Sequence, residues 1–583
     1  MDLTPRDFEP LSSVLTWVTV FGSLALIVLT LAFIAAVIAR GTVGAKAFFG
    51  GLAAGARDLV MVSPKHIWAI AQLTWREALR RRALYVFALF AVLFMFAGWF
   101  LSNSGDRPAD QVKVYVSFVL TVIGWLTLLV MLLLSCWGIP EDIRRRSLHT
   151  VVTKPARRSE VVLGRMLGYS AIGTVILSVM GLVGYVWIAR QASGQGVEEA
   201  LVARRPVFAM DDRYETEFVD REGNERVLDE PVLVQRGLQF YDRDGQPTEK
   251  GLNVGNIWEY RGYVDGASKM YAAYTFEGVD EDVLRDVTLK DTVTGEETEG
   301  RVLQFESDFE GFRTIKGNMN RGLLIQFTYV NGELRVPDPS LIELQEFDGN
   351  VHNLPVEFAS RDPETGELAN YNLLEDLVTD EGTLTVEVRS LDPQQLLGMG
   401  KADLFIRPPD GPFELSYLGS VVALWLKMLL LVALGVTAGT FVKGPVATLL
   451  VFTLLIVGQR AHALMDSLVT GVFDPTNLNG NDQGGPIEAA YRILTHMNTV
   501  KRMEEGLATD VIQTLDQGVL FVMWALSNVI PDFSAFDTAA RTAEGFAIPT
   551  SDLGWAALVT LGFLVPCYII GTLSLRSREL EAK

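Results

Sequence analysis

The stretch Cys136–Gly168 reads CWGIPEDIRRRSLHTVVTKPARRSEVVLGRMLG. An apolar run reaches Pro140, a dense patch of acids and arginines follows, and a second apolar run opens directly behind it. Pro140, Glu141 and Asp142 suit the first turn of a short helix, because proline is tolerated at the first helical position and acids are favourable at the positive end. Arg144–Arg146 follow, Thr153-Lys154-Pro155 breaks that helix, and Ser159-Glu160 starts the next. The pattern predicts helix, break and helix between two membrane crossings.

Composition supports the crossings. The chain has 583 residues, 49% of them hydrophobic, with a formal net charge of -20. A hydrophobic membrane part joined to an acidic water-soluble part accounts for both values at once. The acid belongs to one block: residues 190–415 carry 22 Lys and Arg against 46 Asp and Glu, leaving 28 against 24 for the rest. That block contains no cysteine, and Cys136 and Cys567 both sit in apolar runs, so no disulfide framework is available to it.

Uncharged runs long enough for a hydrocarbon core of about 20 residues occur at Leu11–Ala39, Ala83–Leu101, Val114–Ile139, Met166–Ala189 and Leu553–Leu575. Leu415–Val442 has spanning length but holds Lys427 near its middle, and Gly444–Gln459 and Gln517–Pro531 are short. The leader MDLTPRDFEP is acidic and the first run is long, which reads as an uncleaved helix with its N-terminus outside. Residues 41–82 hold seven Lys or Arg against two acids and residues 140–165 hold seven against three, while 102–113 is balanced at two against two. The positive-inside bias places the two basic loops in the cytoplasm and the acidic block outside. Seven crossings satisfy these signals if Pro445–Ala463 crosses and Gln517–Pro531 is re-entrant or lies on the outer surface.

Between Gln191 and Pro409 short alternating runs are separated by turn residues. LLIQFTYVNGELRV at Leu323–Val336 centres on Asn331-Gly332, a dipeptide suited to a tight hairpin, and TLTVEVRSL at Thr383–Leu391 alternates with period two. Both favour an antiparallel β-sandwich. Asp242-Arg243-Asp244-Gly245 and Asn477–Gly485 resemble the start of calcium loops, but neither continues into the required ligand spacing, and solvated turns explain them more simply.

The residues exclude several chemistries. A nucleotide-driven engine needs a phosphate-cradling GxxxxGK[ST] loop, which the chain lacks; GTVGAKAF at Gly41–Phe48 has the wrong spacing. There is no HExxH, GxSxG or paired CxxC. His462 and Asp466 share one helix face, as a polar helix end would. Nothing reads as catalytic, metal-binding or cofactor-binding. Lys427 either lines a substrate path between helices or reaches with its long stem toward an interface.

Two features occupy the cytoplasmic face. Ser63-Pro64 is a helix start, and KHIWAIAQLTWREALRRR follows with Trp68 and Trp75 seven apart and its basic residues at the C-terminal end, as in a helix lying along the inner interface on anionic lipid. The second is the quoted stretch, which has the shape of a rigid lever able to pass force from a soluble partner into the membrane. That stretch, the interface segment TWREALRRRALYVF, the turn TFVKGPVATLL and NVIPDFSAFD before the last span together resemble permease subunits of the second exporter class of ABC transporters (ABC-2 type). The chain also resembles a subgroup with a large extracytoplasmic insertion, here ending in ADLFIRPPDGPFELSYLGSV. The resemblance implies a homodimer or paired permeases, bound by separate ATP-binding cassette ATPase subunits that contact Glu141, Asp142, Arg144, Arg145 and Arg146 of the lever and Arg76, Glu77 and Arg80 of the interface helix. It implies no cofactor in this chain and no nucleic acid. An envelope protein or substrate would meet the outer domain.

The expectation is a polytopic α-helical membrane protein of about seven crossings plus a re-entrant or surface helix, with an inserted extracytoplasmic all-β, sandwich-like domain. Its divisions are an extra N-terminal helix at 1–40, an interface region at 41–82, helices at 83–189 with the coupling loop at 140–165, the acidic β-rich domain at 190–415, and C-terminal helices at 416–583 with an outer segment at 466–552. The expected function is the permease subunit of an exporter in the cell inner membrane. The alternative is a transmembrane force transmitter or sensor that the same ATPase drives without transport.

Overall fold

The computed structural model describes residues 10–80, scattered positions between 85 and 96, 108–144, 157–191, 201–211, 213–219, 225–234, 236–248, 251–252, 261–290, 297–313, 322–344, 349–361, 366–393, 395–473, 485–496 and 506–581. The chain separates into two units, Val202–Pro412 and a second formed by Pro5–Leu201 with Phe413–Lys583. The first contains the acidic block and the second the apolar runs.

The apolar unit is helical. Its elements are Pro10–Val60 (α1), Pro64–Arg80 (α2), Pro108–Arg144 (α3), Arg158–Gln191 (α4), Phe413–Phe441 (α5), Gly444–Phe473 (α6), Pro486–Leu494 (α7), Leu507–Val529 (α8), Ala539–Ala543 (α9) and Thr550–Glu581 (α10). Six described segments are long and apolar enough to cross a membrane: α1, α3, α4, α5, the stretch from α8 into α9, and α10. The chain is therefore a helical membrane protein of several spans with a separate β-rich domain. The run at 83–101 lies largely outside the described residues; Phe90 and Phe94 within it are buried, and the Phe94 ring lies 5.1 Å from Trp187 of α4.

α1 is two helical arms. Gly41 has φ 56° and ψ -136°, and a Cβ on Gly44 would sit 2.0 Å from the Ala36 carbonyl oxygen. The Phe33 ring lies 5.5 Å from Phe48 and 5.7 Å from Phe49, separations that a straight helix with a rise of about 1.5 Å per residue forbids. The chain doubles back at Gly41, and residues 42–60, counted from the sequence as part of one inner loop, form the returning arm.

Pro140 does not open a new helix, contrary to the sequence expectation. α3 runs through it to Arg144, so the charged patch begins as the end of a long helix. An interior proline frees the carbonyl four residues earlier, here Cys136. Gly439 of α5 packs there: its Cβ would lie 3.2 Å from the Cys136 carbonyl oxygen and 3.1 Å from Pro140 Cδ. Close packing by α5 keeps the opened turn covered. The break at Thr153-Lys154-Pro155 lies outside the described residues.

The run Gln517–Pro531, expected to be re-entrant or superficial, belongs to the 23-residue α8, because α8 extends upstream past Asp516. That carboxylate is buried and accepts the backbone N–H groups of Ile487 at 2.6 Å and Glu488 at 2.9 Å, capping α7. Beyond α8 the chain turns: the Phe533 N–H donates to the Gly458 carbonyl of α6 at 3.0 Å. Thr538 and Thr542 then meet Ser420 of α5, with oxygens 3.0 and 2.7 Å apart, and Ser416 donates to the Phe546 carbonyl at 2.8 Å. As the chain advances from 532 to 546 it therefore climbs α5 from the level of Lys427 back toward Phe413, before α10 descends beside α5 with the Thr437 hydroxyl donating to the Cys567 carbonyl at 3.0 Å.

The β unit is built from antiparallel pairs. Leu323–Asn331 pairs with Leu334–Pro337 and with Leu384–Ser390, and the latter pairs with Tyr271–Phe276, forming the centre of the larger sheet. A second sheet centres on Glu297–Ser307. Phe305 of the second sheet faces Phe276, Phe327 and Tyr329 of the first at 6.0, 5.9 and 6.3 Å, so aromatic rings join the two inner faces. The hairpin turn falls one residue later than the Asn-Gly pair suggests. Asn331 pairs with Leu334 as the last strand residue, and Gly332, with φ 59°, takes the first turn position where positive φ is needed. Asp242 behaves as a turn residue: its Oδ1 accepts the N–H groups of Asp244 at 2.9 Å and Gln246 at 2.8 Å. The second calcium-like stretch, 477–485, lies almost wholly outside the described residues.

Candidate functional site

The charged face of the helical unit forms where α2, the end of α3 and the start of α4 meet. α2 buries Ala71, Thr74 and Ala78, a stripe at three- and four-residue spacing. This face lies on Gly164 and Gly168 of α4. A Cβ on Gly164 would stand 2.6 Å from Ile70 Cβ, and one on Gly168 would stand 2.5 Å from Thr74 Cβ and 2.9 Å from the Ala71 carbonyl oxygen. The G-x-x-x-G spacing lets the two helices touch backbone to backbone.

Two buried charges lock this contact. Glu160, in the first turn of α4, accepts the Arg157 N–H at 2.9 Å and so caps its own helix. Its other oxygen accepts the Ser63 N–H at 2.8 Å, and His66 Nδ1 lies 3.0 Å from the carboxylate, so one side chain secures the starts of both α2 and α4. Arg165, one turn further on, is 5% exposed. Its Nη1 donates to Glu77 of α2 at 2.7 Å and its Nη2 pairs with Asp142 of α3. A charge removed this far from water is stable only with such partners.

The segment entering α2 is fastened as well. The Ser159 hydroxyl donates to the Asp58 carbonyl at 2.6 Å, and the Tyr568 hydroxyl of α10 donates to the Leu59 carbonyl at 2.8 Å. The Arg157 guanidinium donates to the Arg57 and Met61 carbonyls. Such a junction can transmit displacement, because α2 cannot move without drawing on the ends of α3 and α4.

The structure distributes the sequence-derived partner residues in two ways. Glu77 and Asp142 turn inward to Arg165. Arg76, Arg80 and Arg144 are exposed, and Arg144 pairs along α3 with Glu141 at 2.8 Å. Arg145 and Arg146 lie outside the described residues. Lys427 is buried in α5, and the carboxylates of Asp537 and Asp532, on the segment returning from α8, act on its ammonium. His462 and Asp466 lie on α6, with side chains outside the described ones. Among the described residues no group of His, Cys, Asp or Glu is arranged to hold a metal ion.

Sequence reasoning missed Arg165 and His66, and read Glu160 only as part of a helix start. The signals were present: an arginine inside an apolar run, flanked by two glycines four apart, and an acid three residues into a helix. No protein-family model, curated protein or solved structure matches the chain.

Proposed function

We propose that the chain is the membrane-spanning permease subunit of an ATP-driven exporter, with α2 and the charged ends of α3 and α4 as the surface pushed by a separate ATPase subunit. In this reading the junction faces the cytoplasm, the β unit lies outside it, about seven crossings and a re-entrant segment sit in the inner membrane, and two permeases face each other across the pathway. The observation that carries the reading is Arg165, which joins Glu77 of the interface helix to Asp142 of a spanning helix and is itself part of a second spanning helix. A push on α2 then reaches two spans through contacts with no slack. The resemblance of the charged stretch to coupling regions of such permeases, and the lack of a phosphate-cradling loop in this chain, both point to an engine in a second polypeptide.

The test is co-purification. The chain should carry an ATP-binding cassette subunit through detergent purification, and Arg144→Glu, Arg145→Glu and Arg146→Glu together should release it. A complex that survives the reversal, or ATP hydrolysis by this chain alone, overturns the proposal.

A further inference from the structure

Between the two arms of α1 and the lower half of α10 lies an apolar groove of about 540 Å³. Trp17 lines one end, Pro566 the middle, and Gly55 and Leu573 the other end. At the first end the Trp17 indole N–H donates to the Gly562 carbonyl at 3.0 Å, so the arm is attached to α10 there. Toward the second end, a Cβ on Gly51 would have nothing within 4 Å, while the returning arm meets α10 at Gly55, whose Cβ would stand 3.5 Å from Leu573, and at Leu59, whose carbonyl accepts the Tyr568 hydroxyl. From Val565 to Leu573 the groove follows α10 for about 12 Å at about 1.5 Å per residue. That is most of the roughly 15 Å that one leaflet's acyl chains occupy in a hydrocarbon core about 30 Å thick.

Arg576 stands at the second end, its Nη1 in an ion pair 3.6 Å from the Asp58 carboxylate and without a hydrogen-bond acceptor among the described residues. The same nitrogen would be 3.6 Å from a Cβ on Gly55, which lines the groove. Arg57 is exposed in the last turn of α1. A slot that takes most of an acyl chain and ends near a guanidinium is complementary to a lipid whose phosphate follows its tail.

We propose that this groove is a binding site for an anionic glycerophospholipid, with an acyl chain between the α1 hairpin and α10 and the headgroup phosphate on Arg576. The lipid fills the gap between elements that otherwise touch at few points, so it acts as a structural mortar for the N-terminal hairpin. Such a site needs only a membrane-embedded chain and stands apart from the exporter reading.

The test uses the full chain, reconstituted in vesicles of phosphatidylcholine and phosphatidylglycerol, extracted in mild detergent and weighed by native mass spectrometry. The wild type should retain phosphatidylglycerol in preference to phosphatidylcholine. Gly51→Leu, which fills the groove from an open position, should lower retention of both lipids by about tenfold, the change that 1.4 kcal/mol produces. Gly22→Leu, also open on the groove, should do the same and guards against a folding defect in the first variant. Arg576→Gln should keep a lipid but lose the preference for phosphatidylglycerol. Unchanged retention in both glycine variants, an unchanged headgroup preference in Arg576→Gln, or a second polypeptide cross-linked in the groove instead of a lipid would each overturn the assignment.

Discussion

Arg165 Nη1 lies 2.7 Å from the Glu77 carboxylate, and the other arm of the same guanidinium holds Asp142. One side chain thus ties an interface helix to two spanning helices at the place where the charged stretch begins. Removing one partner of a buried pair leaves the others uncompensated, at a cost of about 3 kcal/mol. Arg165→Gln should lower the melting temperature of the detergent-solubilised chain. Combining it with Glu77→Gln and Asp142→Asn should recover part of the loss, and full additivity across these neighbours would show that they are not coupled.

The backbone contact of α2 on α4 makes a steric prediction. Gly168→Val places a branched side chain where Thr74 Cβ already stands 2.5 Å away, and overpacking of this kind costs about 1–3 kcal/mol. α2 should lift from α4. Cysteines placed at Ala71 and Leu167 should cross-link in the wild-type background and fail to do so in the variant.

The exposed arginines separate surface recognition from stability. Arg76→Glu with Arg80→Glu should shift stability by no more than about 0.5 kcal/mol, yet abolish association with the ATPase subunit and any ATP turnover that depends on it. A matched loss of melting temperature and binding would mean the arginines act on the fold.

The β unit should respond to acid through Asp338. Burial pushes this carboxyl up, but hydrogen bonding and charge from His352, with bonds from Tyr329 and Ser340, outweigh burial and hold it below the usual range. The Tyr329 hydroxyl donates to it at 2.6 Å, and His352 Nε2 is 2.7 Å away. With the folded value below the unfolded one, the carboxylate contributes stability above pH ~4, and that contribution fades as pH falls through the folded value. Hydrogen exchange on the strand Leu323–Asn331 should quicken at low pH, and less steeply in Asp338→Asn.

Lys427 predicts a coupling inside the helical unit. Lys427→Met strips Asp532 and Asp537 of a cation and should destabilise the segment between α8 and α10. Adding Asp537→Asn should restore part of the loss in a double-mutant cycle. Equal effects of the second substitution in both backgrounds would place no interaction between them.

The sequence alone determined the division of this chain. Runs such as Val114–Ile139 are apolar for a hydrocarbon thickness, which forces helices because lipid offers the backbone no hydrogen-bond partner. Alternation at Leu384–Ser390 determined a half-buried strand, because side chains in a strand point to opposite faces in turn. Pro64 and Glu160 marked helix starts through local chemistry within one turn. The tertiary structure decided what those local signals leave open. Pro140 reads as a helix start but sits inside α3, because Gly439 comes from a helix about 300 residues later to cover the carbonyl it frees. Charge counting scores Glu77 and Asp142 as surface groups, since their burial depends on Arg165 arriving between them. The reversal at Gly41 and the electrostatic influence of Asp532 and Asp537 on Lys427 likewise join residues remote in sequence. Composition fixes which solvent a segment prefers; which side chains meet is fixed only when the segments pack.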